Sequence, residues 1–276
     1  MRVRAPAKIN LSLHVLGAGA DGFHELRTVF QSIALHDTLT FRRASGPFRI
    51  ACSDPSCPVD ETNMVWRAAA LVWAAAHRAG MPRDLVVRLT KRVPMQAGLG
   101  GGSSDAAATI RACAALWKAN LSPTRLVQIA ATLGADVPYF LHGGTALGTG
   151  RGDQLLPLDD AEATWVTLVL PPFGVSTKDA YGWWDADGGP RVAPETANDL
   201  QAPVVARHPE IGKIVTRLTK AGAVQAMMSG SGSAVYGLFR SRAAARCAAD
   251  ALASRSTETL VTRTVNRMRY QALAAL

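Results

Sequence analysis

The chain has 276 residues, 48% hydrophobic and 18% charged, which excludes a disordered or low-complexity polymer and is enough chain for two cores sharing a cleft. Thirty Lys and Arg against 21 Asp and Glu give a net charge of +9, suited to phosphorylated or other anionic ligands. The arginines are scattered and aromatics make up only 6%, which argues against a nucleic-acid tract with interleaved stacking residues.

In chain order, Ile9, Leu11, Leu13 and Val15 alternate with Asn10, Ser12 and His14, a period of two that predicts a strand with one face on the core. Lys8 and Asn10 then project from the other face, so Lys8 is either an exposed strand lysine or a site cation. The same alternation breaks any signal-peptide core, and no 18-residue apolar run occurs elsewhere. No membrane segment is expected, and a cytoplasmic location is. Of the four cysteines, Cys52 and Cys57 are spaced to close a small loop or to remain thiols, with no CxxC pair and no His at zinc-ligand spacing.

A helix is predicted from about Thr62 to Ala79, with Val65, Ala69, Val72 and Ala76 on one stripe and Gly80 at the C-terminal cap. A strand over Leu85 to Val93 delivers the chain into PMQAGLGGGSSDAAA, and a helix beginning at Ser103 to Asp105 carries Ile110, Cys113, Ala114 and Trp117 at helical spacing. Ser122 then Pro123 is a helix start, with Leu126, Ile129, Ala130 and Leu133 as its stripe and Gly134 as its stop. Residues Ala135 to Pro138 form a turn in which Asp136 either caps a short helix at 137–141 or serves as a reactive carboxylate.

After the loop-like GTGRGDQLLPLDD, the run WVTLVL opens a new pattern. Helices are predicted at 178–184 and 198–220, strands at 224–228 and 234–239, a helix at 241–254 and a strand at 258–265. With one helix inserted, that order is strand, helix, strand, strand, helix, strand. Two domains are therefore expected, 1–159 and 160–276, the second of α+β type.

The segment from Pro94 to Ser104 lacks the lysine of a Walker loop and the third glycine of a dinucleotide fingerprint. A flexible linker has the same composition, but this loop sits tightly between a strand and a periodic helix. Its glycines let backbone N–H groups approach an anion, and the helix that follows aims its unpaired N–H groups and positive dipole end at the same place. The hydroxyls of Ser103 and Ser104 add donors or a magnesium ligand. A second small-residue loop, MMSGSGSAVYGLF at 227–239, has more Gly and Ser than its hairpin turn requires, and two such loops across a cleft would enclose a triphosphate. Phosphoryl transfer needs little else beyond a carboxylate for the hydroxyl proton and a cation near the developing charge, for which Asp136 and Lys8 are the candidates.

Taken together, PAKINLSLHVLG, DGFHEL, PMQAGLGGGSSDAAA, LGADVPYF and MSGSGSAVYGLF resemble the GHMP kinase superfamily of small-molecule kinases over nearly the whole chain. The resemblance implies an α+β, two-domain GHMP kinase fold: an N-terminal α/β domain like the second domain of ribosomal protein S5 and a C-terminal ferredoxin-like domain, with the site between them. It further implies ATP and Mg2+ as cofactors, with the metal ligands unassigned. The implied partner is a small molecule, a cytidyl diphosphate polyol phosphorylated on a tertiary 2-hydroxyl in non-mevalonate isoprenoid synthesis, rather than nucleic acid or membrane.

By the same resemblance Lys8 and Asp136 form the catalytic pair. Pro94, Met95, Gln96, Ala97, Gly98, Leu99, Gly100, Gly101, Gly102, Ser103 and Ser104 make the ATP-phosphate loop, and Asn63 contacts the nucleotide. Asn10 holds the polyol or phosphate end of the substrate. Phe23 stacks on the cytosine, His24 bonds its polar edge, and Tyr181 offers the opposite stacking face. As plain packing residues, Phe23 would cap the core edge and Tyr181 would lie on Trp184. The chain departs from the family pattern at Phe23, where Tyr is common, at Gln96, where small residues are common, and at Asp105, a position that varies.

Overall fold

The computed structural model describes residues 1–19, 22–160, 162–189 and 197–276; Asp21 of DGFHEL lies outside them. The first unit begins with two long antiparallel strands, β1 (Arg2–Ala18) and β2 (His24–Pro47), followed by β3 (Arg49–Cys52), α1 (Met64–Ala75) and β4 (Arg83–Thr90). Then come α2 (Gly101–Leu116), α3 (Pro123–Leu133), α4 (Tyr139–His142), and a hairpin of β5 (Thr145–Thr149) and β6 (Gln154–Pro157). Among the described residues its six strands form one sheet in the order β3-β4-β2-β5-β6 with β1 on β2, and only β3 and β4 pair in parallel.

The second unit holds β7 (Trp165–Leu170), α5 (Thr177–Ala186), α6 (Gln201–Arg207), α7 (Pro209–Lys220), β8 (Gln225–Met228), β9 (Val235–Phe239), α8 (Arg242–Leu252) and β10 (Glu258–Arg263). Its sheet runs β10-β7-β9-β8 with all pairs antiparallel, the strand order of a ferredoxin-like βαββαβ unit. The last helix, α9 (Arg267–Leu273), returns to the first unit. There Tyr270 is buried in the first core and donates to the Phe140 carbonyl at 2.6 Å.

Three apolar clusters explain the arrangement. One fills the first unit between its sheet and α1 to α3, and one fills the second unit. The third lies between the units, where Ala7, Ile9, Val93, Ala97 and Leu99 pack on Val166, Leu168, Met227 and Tyr236. The alternation of β1 therefore does not separate core from solvent. Val3 and Ala5 join the first core, Ala7 and Ile9 join the inter-unit core, and every residue from Ala5 to Asn10 is buried.

Several expected boundaries move for local reasons. Helix α1 starts after Asn63, whose side chain accepts from the Val65 N–H, and it stops short of Gly80 because His77 takes a left-handed φ of 55°. Helix α2 begins at Gly101, two residues before Ser103, with Gly100 at φ 70° as its cap. The long helix expected at 198–220 is broken at His208, where Pro209 starts α7. The loop-like GTGRGDQLLPLDD holds the end of β5, the hairpin turn and all of β6, and β2 and β3 had no counterpart in the expected elements because buried polar residues such as Gln31, Ser32 and Asp37 interrupt the apolar pattern of β2. All four cysteines are free thiols. Among the described residues no helix is long and apolar enough to cross a membrane.

Candidate active site

A cavity of about 1250 Å³ opens between the two units. Its walls come from β1, the start of β2, the approach to α1, the glycine loop, the α3–α4 turn, α5 and the β8–β9 loop. Lys8 and Asp136 meet on this wall, with Nζ 3.4 Å from Oδ2. Lys8 sits between two register shifts of the β1–β2 ladder, at Pro6/Lys8 and at Asn10/Ser12, and such bulges re-aim side chains. It is 3% exposed, so it is not a surface lysine. Its ammonium donates to Asn10 Oδ1 at 2.6 Å, Asn10 Nδ2 donates to Thr28 Oγ1, and Thr28 donates to the Ser12 carbonyl. The Phe30 ring lies 5.5 Å from the same ammonium. Asn10 lines the cavity, yet both ends of its amide are engaged in holding Lys8 and Thr28.

Asp136 does not cap a helix: Pro138 occupies the N-cap of α4 with no side-chain capping bond. The helix-ending Gly134 and the bond from the Val137 N–H to the Gly134 carbonyl form the tight turn that presents Asp136 to Lys8. A buried cation is thus held beside a half-exposed carboxylate, the pairing that charge neutralisation at a buried ammonium requires.

The glycine loop lines the cavity from Pro94 to Ser103. Packing, as well as ligand access, explains its glycines. A Cβ on Gly98 would stand 2.0 Å from the Ser229 carbonyl oxygen, and one on Gly100 would stand 2.6 Å from the Phe140 ring. The backbone N–H of Lys8 donates to the Leu99 carbonyl, and Ser229 Oγ donates to the Gly98 carbonyl. The β8–β9 loop is therefore bonded directly to the glycine loop, and Gly230, Ser231 and Gly232 reach the cavity. Helix α2 has no side-chain N-cap, so its first N–H groups face the loop without an intrahelical acceptor. Ser104 is not brought to the cavity. It lies on the inner face of α2, where its hydroxyl donates to the Pro6 carbonyl at 2.7 Å and its N–H to the Gly100 carbonyl. Asn63 is on the cavity wall, with its amide bonded to the Val65 N–H and the Pro58 carbonyl.

At the other end, Phe23, His24 and Tyr181 come together around the cavity mouth. Phe23 is 54% exposed with the Arg151 guanidinium 4.8 Å from its ring. His24 stacks on Tyr181 at 4.7 Å, meets Trp184 edge-on, and bonds Asp185 Oδ1 through Nε2 at 2.8 Å. Tyr181 thus carries the His24 ring on one face, where an open stacking slot was expected. Burial pushes the Tyr181 phenol up, and the Asp136 charge adds to the shift.

Residues that the sequence did not single out support the site. Asn198 is buried and donates to the Met228 and Gly230 carbonyls, fixing the β8–β9 loop. Lys91, at the mouth of the glycine loop, is clasped by Asp37 of β2 and by Asp105 of α2, the latter at 2.9 Å. Burial opposes the Lys91 charge, but Asp105 and Asp37 outweigh it and hold the ammonium above its ordinary range. An aspartate inside a strand, Asp37, was the one available signal, because Asp is disfavoured there without a partner. Asn198 and Asp185 carry no such mark.

Two family models match the chain, GHMP kinases N terminal domain over residues 63–144 and GHMP kinases C terminal over residues 192–256. The 4-diphosphocytidyl-2-C-methyl-D-erythritol kinase of Moorella thermoacetica is 42% identical over 95% of this chain and 98% of its own length. The enzyme of the same name from Solibacter usitatus is 44% identical over 98% of this chain and 90% of its own. Among solved structures, a 4-(cytidine 5'-diphospho)-2C-methyl-D-erythritol kinase superposes with a TM-score of 0.81 at 34% identity, covering 96% of this chain and 99% of that one.

Proposed function

Because the chain belongs to the GHMP kinase family, we propose that it transfers the γ-phosphoryl group of ATP to the 2-hydroxyl of 4-diphosphocytidyl-2-C-methyl-D-erythritol, a step of non-mevalonate isoprenoid synthesis. The observation that carries this assignment is the Lys8–Asp136 pair standing on the same cavity wall as the uncapped start of α2. The nucleotide's phosphates lie over the glycine loop and the first turn of α2, whose N–H groups and dipole favour negative charge. Asp136 takes the substrate hydroxyl proton as the oxygen attacks the γ-phosphorus, the bond to the bridging oxygen breaks, and ADP leaves. Lys8, oriented by Asn10, offsets the charge that develops on the transferring group.

The cytosine end belongs at Phe23, His24 and Tyr181, where aromatic faces and a hydrogen-bonding imidazole converge. Among the described residues no three acidic, His or Cys side chains converge as a metal cage. Magnesium arriving on the triphosphate, held mainly by phosphate oxygens and water, fits the cavity without one. A division near residue 160 into a nucleotide-holding unit and a ferredoxin-like unit accompanies the assignment, with the segment from 265 folding back on the first.

The test is ADP release by the purified protein with each candidate alcohol, with the product's phosphorus located by NMR. Release that depends on the cytidyl alcohol, with a new phosphate ester on its tertiary carbon, is expected. No release with that alcohol, or faster turnover of homoserine or mevalonate, would overturn the substrate assignment.

A further inference from the structure

Beneath the first turn of α2 lies a buried group that the phosphoryl transfer does not use. Asp105 is 2% exposed, its Oδ2 accepts from Lys91, and its Oδ1 has no hydrogen-bond partner. Among the described residues Asp37, fully buried on β2, is the other carboxylate on the same ammonium, since Lys91 Nζ donates to Oδ2 of both acids. Asp37 is already well supplied with donors: Oδ1 accepts from the N–H groups of Arg92 and Val93, and Oδ2 accepts from Lys91. Among the described residues Asp105 has the Lys91 ammonium alone as a side-chain donor. If both acids were ionised, one ammonium would face two buried carboxylates, leaving an uncompensated charge and an orphaned acceptor, both costly away from water. A proton shared by the two acids leaves one ammonium against one carboxylate, so the cluster becomes neutral, and on Asp105 Oδ1 it replaces the orphaned acceptor with a hydroxyl.

The cluster touches the nucleotide end of the cavity. Lys91 and Asp105 both contribute to its lining, and a Cβ on Gly101 would lie 3.3 Å from Lys91 Nζ. The charged groups facing Asp105 are Lys91 after β4 and Asp37 on β2. Cys57, from the segment before α1, shares their field, but burial and then Cys52 push its thiol up to about 12, so it stays neutral.

We propose that Asp105 and Asp37 share one proton under the first turn of α2, and that a nucleotide's phosphate chain binds preferentially to this neutral form, drawing the proton from solvent when it is absent. Asp105 is then a positioning and charge-balancing residue for the nucleotide, and the proposal rests on the assignment of this cavity to ATP. Burial pushes the Asp105 carboxyl up to about 7 against the pull of Lys91, with Asp37 raising it further, so the free protein loses the proton near neutral pH. A polyanion nearby makes that loss harder, so affinity falls as pH rises through the free-state value and levels off above the bound-state value.

Calorimetric titration of the full-length protein with a non-hydrolysable ATP analogue, between pH 6 and pH 9 and in buffers of differing ionisation heat, tests this. For the unsubstituted protein, the dissociation constant should rise at least threefold more across the range than for Asp105→Asn, with net proton uptake near pH 8 that the variant lacks. The analogue's own titration is common to both and cancels. Should the variant fail to fold, infrared difference spectra of the unsubstituted protein at pH 8 should still gain a protonated-carboxyl band on adding the analogue. Parallel pH profiles and equal proton uptake in the two proteins, or no such band, would overturn the proposal while leaving nucleotide binding intact. Absence of binding at every pH would instead overturn the cavity's assignment, and the proposal with it.

Discussion

Lys8 Nζ and Asp136 Oδ2 stand 3.4 Å apart, one on the first strand of the chain and the other on the turn between α3 and α4. Nothing covalent holds them there. The Lys8 N–H bonds the Leu99 carbonyl, Ser104 of α2 bonds the Pro6 carbonyl, and Ile129 and Ala130 of α3 share the first core with α2. The pair is thus set by the seating of α2 on β1 and of α3 on α2. Asp136→Asn keeps the side-chain volume and removes the base, so kcat should fall by roughly 10²- to 10⁴-fold with little change in the KM for ATP. Steady-state kinetics at saturating nucleotide reads both, and near-normal turnover would remove Asp136 from the chemistry.

Gly98 joins the glycine loop to the β8–β9 loop. With φ at 71° and a Cβ position 2.0 Å from the Ser229 carbonyl oxygen, Gly98→Ala combines left-handed strain with overlap against backbone. A loss of about 2 to 4 kcal/mol in urea unfolding is expected, with a raised KM for ATP because the β8–β9 loop must retreat. An alanine variant as stable as the parent would mean that the two loops are not rigidly joined.

Tyr181 supports the His24 ring. Tyr181→Ala removes that support and an aromatic face worth about 1 to 3 kcal/mol to a stacked base, so the KM for the cytidyl alcohol should rise roughly 5- to 150-fold. The KM for ATP should hold. Equal effects on both substrates would move the cytosine site elsewhere.

Lys91→Met leaves Asp37 and Asp105 without their shared cation in the protein interior. Breaking a buried pair in this way costs about 3 to 5 kcal/mol, read at pH 8 by urea denaturation. Since burial pushes the Asp105 carboxyl up to about 7, protonation neutralises it as pH falls and the deficit should shrink towards pH 5. A pH-independent deficit would attribute the loss to packing of the lysine stem rather than to its charge.

Much of this protein is legible in local patterns. Ser122 and Pro123 start α3 and Gly134 ends it as their chemistry dictates, and the second unit follows the predicted order because its strands and helices are short, regular and separated by turn residues. The glycine loop, Lys8 and Asp136 are marked by residue type and spacing, the aromatic end only by the family resemblance of DGFHEL and of the segment around Tyr181. Long-range contacts were not legible in the same way. The alternation of β1 was correctly a strand signal but could not tell solvent from the second unit, since Ala7 and Ile9 look alike whether they face a domain core or an interface.

What the sequence determined by itself is the chemistry available: a carboxylate, an amine, backbone donors on a glycine-rich helix start, and aromatic rings. What only the tertiary structure decided is which of them point inward together. It turned Ser104 away to Pro6, engaged the amide of Asn10 in holding Lys8, laid His24 on Tyr181, and gathered Asp37, Lys91 and Asp105 from three separate segments. The reason is physical. Local propensity depends on neighbours along the chain, whereas a buried charge or an engaged hydrogen-bonding group depends on whatever side chain the fold delivers opposite it.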